Sequence, residues 1–306
     1  MPTQAKNFWQ LIKQTFSEFS EDDCPSMAAA LAYYTVFSLP PLLVIVITVA
    51  GFFWSPDAIQ GTIEGEIKGM IGESGKEQIH NMMVEARLSN RSGMAMALGA
   101  IVLLAGATGV FAQLQHSLNK TWEVAPDPEQ GGLKNFIIKR ILSLGMVLAV
   151  AFLLLVSLLL TTALTAAGDA LGGLLPEGTS TIWPIMINFV VSFIVIWLLF
   201  AAMFKFLPDA QIAWRDVWIG AAITALLFMI GKMLIGVYLG SQAFGAGPLI
   251  LILLWIYYSS LILLIGAEFT QVWARSFGKR IEPKEGAVRV VQKKEYERHS
   301  PGKETN

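Results

Sequence analysis

Charge and cysteine are what this sequence has least of. Only 15% of its 306 residues are charged, where a soluble domain carries about a quarter. Most of the chain is therefore not built for solvation by water. Cys24 is the single cysteine, so an intrachain disulfide and a zinc site built on several thiolates are both excluded. Histidine is scarce as well: His80, His116 and His299 stand apart, without the clustered His and Asp pattern of a metal hydrolase. No Gly-rich loop ends in Lys-Ser or Lys-Thr, which argues against ATP-driven chemistry by this chain alone. No segment is basic enough to point to nucleic acid. The chain is read as a non-enzyme, with no catalytic residue, metal or cofactor expected. Its first 26 residues are polar and mixed in charge, unlike a cleaved secretory leader.

Apolar side chains fill the remainder, 54% of the sequence. A helix crossing a hydrocarbon core of about 30 Å needs about 20 largely apolar residues. Six stretches satisfy this: Met27 to Trp54, Met94 to Leu118, Ile141 to Thr165, Trp183 to Phe204, Val217 to Leu239, and Pro248 to Phe269. A closed β-barrel would instead alternate apolar and polar residues. Leu153 to Leu160, apolar apart from Ser157, does not alternate. The expected fold is all-α, a polytopic bundle of six transmembrane helices. Residues 1–26 form an interfacial helix, 27–273 the membrane domain with an outer loop at 55–93, and 274–306 a charged tail.

Lys and Arg stay on the cytoplasmic side of bacterial membranes. Lys120, Lys134, Lys139 and Arg140 lie between spans two and three, Lys205 and Arg215 between spans four and five, and nine basic residues follow from Arg275 onward. The connections from span three to four and from five to six hold none. Both ends of the chain are therefore expected in the cytoplasm of a bacterial inner-membrane protein. The first outer loop dissents, with four basic residues offset by Glu64, Glu66, Glu73, Glu77 and Glu85.

Before the first span, Phe8, Trp9, Leu11, Ile12, Phe16 and Phe19 recur at near-helical spacing, which predicts a helix lying in the inner interface. Glu21, Asp22 and Asp23 ahead of Pro25 mark a new helix start. In the outer loop, Ile59, Ile63, Ile67, Met70 and Ile71 form one apolar stripe and Ile79, Met82 and Met83 another. Two amphipathic helices broken near Gly72 to Gly75 are expected, capping the outer face. The tail after Ile281, charged and containing Pro and Gly, is read as disordered or loosely helical.

Ionisable residues inside apolar spans raise functional hypotheses. Lys232 lies about 22 Å along span five from its inner start. It either snorkels to the outer headgroups or binds an anion together with Gly245, Gly247 and the helix start at Pro248, where unpaired N–H groups and the helix dipole favour negative charge. Glu268 falls about 30 Å from that start, on the opposite face, and is expected to latch onto Lys205, Arg215 or Arg140. Span two ends in the polar group Gln113, Gln115, His116, Asn119 and Lys120, either packing glue or the lining of an inner vestibule. Pro40 and Pro41 remove two backbone donors mid-span and predict a kink or break. Gly236 and Gly240 fit a small-residue helix contact.

The stretch from Ala28 to Leu42, with Ala32-Tyr33-Tyr34-Thr35 and Ser38-Leu39-Pro40-Pro41, resembles the first span of the YihY/BrkB family. So do Gly106-Ala107-Thr108 through Asn119-Lys120-Thr121-Trp122, Leu207-Pro208-Asp209-Ala210 with Trp214-Arg215-Asp216, and Leu254 to Ser260 leading to Gly266-Ala267-Glu268-Phe269. The resemblance covers about residues 8 to 280. It implies a polytopic bacterial inner-membrane protein. Members have carried a ribonuclease BN label, or have been linked to virulence or to movement of lipids and lipopolysaccharide precursors. This chain departs from the pattern at Phe244-Gly245-Ala246-Gly247-Pro248, where the extra Pro fixes a sharp helix start. The expected function is a transporter or flippase-like protein for an anionic lipid or other amphiphile. The alternatives are a non-catalytic scaffold and, disfavoured, a membrane-associated ribonuclease. The expected partners are membrane lipids, an anionic lipid or lipopolysaccharide precursor, and further copies of the chain.

Overall fold

The computed structural model describes residues 8–51, 55–88, 109–130, 182–241, 248–278 and 281–290. The expected third span and the first part of the second lie outside them, as do Gly245 and Gly247.

The interfacial helix forms as α1, Phe8–Glu21. Its periodicity yields two apolar flanks. Leu11 and Thr15 are buried, and Phe8, Trp9 and Phe16 stay exposed. The stretch expected as the first span forms α2, Cys24–Ala50. Asp23 separates the two helices in a left-handed conformation, φ 56°, which Asp tolerates better than most residues. Its carboxylate accepts from Ser26 Oγ at 2.9 Å, and Pro25 sits in the first turn where its missing N–H costs nothing. α2 runs through Pro40 and Pro41, where a kink or break is expected, as one helix.

The outer loop forms α3, Pro56–Leu88, interrupted at Gly72 with φ 80° and ψ −175°. A left-handed φ is open to glycine at no steric cost. In a straight helix Glu64 and His80 would stand about 24 Å apart. Instead Glu64 Oε1 lies 2.8 Å from His80 Nδ1, so the two arms fold back as a hairpin. Ile59, Ile79 and Met83 are buried, and Ile79 and Met83 form an apolar cluster with Val36 of α2 and Ile252.

A helix over 109–121, α4, carries the end of the second span. The remaining long helices are α5, Ile182–Phe206, α6, Trp214–Ser241, and α7, Pro248–Phe277. Stretches in these three, Phe189–Phe206, Trp214–Ile235 and Leu249–Phe277, are long and apolar enough to cross a membrane. The end of α6 near Ile235 and the start of α7 near Ile252 pack against α3, and α7 also packs on α1 and α2.

The seam between α6 and α7 rests on a reciprocal contact. A Cβ built on Gly220 would stand 1.8 Å from Thr270 Oγ1, and one on Gly266 would stand 1.9 Å from Thr224 Oγ1. Each threonine also donates to the carbonyl four residues back in its own helix, Thr224 to Gly220 and Thr270 to Gly266, both at 2.7 Å. Small residues let backbones approach where lipid leaves no hydrophobic drive between helices. Farther along, Tyr258 packs on Gly231.

Two short antiparallel sheets modify the all-α expectation. Strand β1, Val124–Pro126, pairs with β4, Ala287–Arg289, and β2, Ala210–Gln211, pairs with β3, Glu282–Pro283. Residues 281–290 are thus ordered against the bundle, correcting the reading of that stretch as disordered or loosely helical. Its backbone polar groups find partners in the connections after α4 and α5, which sequence composition alone does not disclose.

Candidate functional site

The polar residues gather at the end of the bundle that carries α1 and the four strands. Two groups form there, one on each side of α4.

The first centres on Asp209, between α5 and β2. Asn119 Nδ2 donates to its carboxylate at 2.9 Å, Gln115 Nε2 donates at 3.2 Å, and the Asp209 N–H donates to Asn119 Oδ1 at 2.8 Å. The C-terminal strands close the group. The Lys284 N–H donates to the Asp209 carbonyl at 2.8 Å, and Lys284 Nζ donates to the Pro208 carbonyl at 2.7 Å. Burial holds the Lys284 ammonium below the ordinary lysine range, and Asp209 offsets part of that.

The second centres on Glu268, fully buried in α7. Cys24 Sγ donates to Glu268 Oε1 at 3.5 Å, and the Asp22 carboxyl lies against that of Glu268, with Thr121 beside it. Lys120 Nζ donates to the Asp22 carbonyl. Asp22, half-buried outside the spans, is held above the usual carboxylate range, first by burial. Its hydrogen bond to Glu268 and the Lys120 charge work the other way.

An ion-pair fastening surrounds this group. Glu123, itself in a left-handed conformation at φ 54°, turns its carboxylate to Arg275 at 2.7 Å and to Arg289 at 3.5 Å. Arg275 also reaches Glu18 of α1 at 3.3 Å. The main chain adds a bond from the Val290 N–H to the Glu123 carbonyl at 2.8 Å.

Of the residues expected to line an inner polar region, Asn119 and Glu268 are therefore both in polar groups, but in different ones. Gln113 is half-buried and His116 exposed. Glu268 meets a carboxyl and a thiol in place of the cations expected for it. Lys205 instead donates to the Ile212 carbonyl at 2.5 Å and lies over Trp214, Arg215 is exposed, and Arg140 lies outside the described residues. Lys232 is partly buried, one residue beyond the contact of Gly231 with Tyr258. The α6–α7 seam is in close contact at Gly220, Thr224 and Gly231.

Sequence reasoning missed Asp22, Cys24 and Thr121 as partners of Glu268, and Lys284 as a partner of Asp209. A usable signal existed for the seam, because Gly220-x-x-x-Thr224 and Gly266-x-x-x-Thr270 repeat one pattern on consecutive spans. None was available for the carboxyl pair, whose members are separated by most of the chain.

Comparison with known proteins agrees with this architecture. The chain is 26% identical over 270 residues to a ribonuclease-like protein, YfkH, of Bacillus subtilis, covering 84% of this chain and 92% of that protein. It is 30% identical over 288 residues to a UPF0761 membrane protein of Teredinibacter turnerae, covering 89% of this chain and 62% of that protein. A UPF0761 membrane protein of Psychromonas ingrahamii is 29% identical, with 87% and 88% covered. The chain thus spans less than two thirds of some of these relatives and nearly all of others. No solved structure matches it. The profile of the Virulence factor BrkB family matches residues 15–290, and with three helices long and apolar enough to cross a membrane this chain is an integral membrane protein belonging to that family.

Proposed function

We propose that this protein is a transporter, flippase-like in kind, for an anionic lipid or other amphiphile. It would lie in a bacterial inner membrane with α1 and the strand end facing the cytoplasm. The observation that supports this most is the fully buried Glu268 inside an apolar helix. Ionisable groups in such segments are costly and mark substrate or ion pathways. At the far end, Lys232 on α6 and the helix start at Pro248 would supply the cation and the N–H groups that a phosphate or carboxylate headgroup requires. Such a headgroup site would lie on the part of α6 beyond Gly231, past the close contacts of the seam. Membrane lipids, a lipopolysaccharide precursor and self-association are the partners that go with this reading.

The test is transbilayer movement of a fluorescent anionic phospholipid in proteoliposomes, with a zwitterionic analogue as control and with or without an imposed pH gradient. The native protein should move the anionic probe, and Lys232→Gln should slow it about tenfold or more, the loss of a charge-assisted contact of about 1.5–3 kcal/mol. Native-like rates in Lys232→Gln remove the outer site, and no movement by the native protein removes the transport reading.

The second reading, a non-catalytic scaffold, draws on the solvated tip of α3, where Lys68 and Lys76 pair with Glu73 at 2.6 and 2.9 Å. A stoichiometric partner bound there, without lipid movement, would favour it. The ribonuclease label belongs to the Bacillus relative. Cleavage of RNA by this purified chain would overturn its assignment as a non-enzyme.

A further inference from the structure

The connection between α5 and α6 gathers cations and rings that the sites above leave unused. The apolar stretch of α5 ends at Phe206 and that of α6 begins at Trp214. A membrane crossed by both helices therefore has its headgroup layer at this connection. Phe206 and Trp214 are exposed there and meet edge to face at 5.9 Å. Rings of this kind favour the boundary between lipid and water.

Two ammoniums lie on the same connection. Lys205 Nζ donates to the Ile212 carbonyl and stands 5.3 Å from the centre of the Trp214 ring. Lys284 comes from much later in the chain, brought in by the pairing of β3 with β2. Its Nζ donates to the carbonyls of Phe206 at 3.3 Å and Pro208 at 2.7 Å. Among the described residues neither ammonium is ion-paired with a carboxylate. Asp209 and Lys205 are the charges that act on Lys284, one opposing and one repeating its own. The Asp209 oxygens already accept from Gln115 and Asn119, and Glu282 and Glu285, exposed on the same strand segment, are not among those charges. An ammonium carries three N–H groups, so both lysines keep a donor for a further acceptor.

From these cations the rings continue into the apolar region. Trp214 stacks on Trp218 at 5.7 Å, Trp218 meets Trp197 edge to face at 5.2 Å, and Trp197 meets Phe193 at 6.1 Å. Trp218, Trp197 and Phe193 are half-buried, which leaves part of each open along the flank of α5 and α6.

We propose that the α5–α6 connection binds a phosphate-bearing anionic lipid, its phosphate held by Lys205 and Lys284 and an acyl chain laid along the rings from Phe206 and Trp214 to Phe193. Phosphate oxygens accept charge-assisted bonds from both ammoniums and relieve their repulsion. Basic pockets between membrane helices select anionic headgroups in this way. A free phosphate would satisfy the cations and leave the rings uncovered, so the lipid is the occupant that uses the whole site. This site lies at the opposite end of α6 from Lys232, goes beyond the transport reading and does not depend on it.

The test is native mass spectrometry of the full chain in detergent, titrated with phosphatidylglycerol or with phosphatidylcholine of the same chains, and with inorganic phosphate as competitor. The native protein should prefer phosphatidylglycerol, and inorganic phosphate should not displace it. Lys205→Gln, which leaves the pairing of β3 with β2 in place, should weaken phosphatidylglycerol by about fivefold and leave phosphatidylcholine unchanged. Adding Lys284→Gln should remove the remaining preference of this site. Phe206→Ala with Trp214→Ala should weaken both lipids, because rings serve either chain. The proposal is overturned if the native protein binds the two lipids alike, or if Lys205→Gln keeps the native preference. It is equally overturned if the ring variant weakens neither lipid, or if inorganic phosphate displaces phosphatidylglycerol, which would make a free anion the ligand. Binding here without lipid movement in proteoliposomes would sink the transport reading alone.

Discussion

Replacing Gly220 by Ala tests the α6–α7 seam at its tightest point. The new Cβ would stand 1.8 Å from Thr270 Oγ1, 2.8 Å from Thr270 Cβ and 3.0 Å from Cγ2. Rotating Thr270 can move Oγ1 and Cγ2 away, but no rotamer moves its Cβ. Ordinary contact begins at 3.4 Å, so the helices must separate by about 0.6 Å along that line, and the reciprocal contact of Thr224 with Gly266 loosens with them. Overpacking of this kind costs about 1–3 kcal/mol. Thr270→Gly removes the obstruction and itself costs about 1 kcal/mol in helix propensity and lost packing. The double variant should therefore be more stable than the sum of the two losses by about 1 kcal/mol or more. The protein carries its own probe: Cys24 is its single thiol and is fully buried, so a thiol-reactive dye reports unfolding in detergent as a melting curve. Additivity within about 0.5 kcal/mol, or an unchanged melt for Gly220→Ala, would refute the reciprocal seam.

Asn119→Ala removes both bonds that Asn119 exchanges with Asp209. A loss of about 1.5–3 kcal/mol is expected for bonds to a charged group, read as a lower melting temperature and earlier proteolytic release of residues 281–290. Glu123→Gln weakens partly exposed ion pairs with Arg275 and Arg289. It should cost less, about 1 kcal/mol or below, and the difference from the native protein should shrink in high salt. In α3, the hydrogen bond from His80 holds the Glu64 carboxyl below the usual range, with Gln60 adding to it. Stabilisation by a lowered carboxyl is complete above the ordinary carboxylate range and is lost as pH falls through the lowered value. Hydrogen exchange in the two arms should therefore accelerate below about pH 4, and Glu64→Gln should abolish that dependence. Exchange that is independent of pH after correction for its intrinsic rate would sink the idea.

Much of the scaffold was legible because its signals are local. Apolar length places α5, α6 and α7, Pro25 after an acidic run places the start of α2, and Gly72 places the fold-back of α3. The partners at the strand end were hidden because they are long-range. Val124 pairs with Arg289 and Ala210 with Pro283, in strands too short to show alternation. Charge patterning misled at Glu268. A buried acid suggests a cation, yet the chain delivers Asp22 and Cys24 from a joint about 245 positions earlier. Depth along a helix separates Glu268 from the Pro248 end of α7 and cannot give its neighbour.

Two faces of α7 are held by different physics, and this bears on which part of the protein can move. At the seam with α6, Thr224 and Thr270 interlock with glycines, and packing of this kind responds to volume, not to pH or salt. At the joint with α1 and α2, the contacts are the Cys24 thiol on the buried Glu268 and ion pairs through Arg275, and the ion pairs respond to ionic strength. A conformational change driven from solution would therefore act at the joint, with α6 and α7 moving as one body. Hydrogen exchange followed while ionic strength is raised should show protection lost first around residues 18–27 and retained across Gly220 to Thr224. Equal loss at both places would mean that the seam and the joint open together, and that α7 carries no such division of roles.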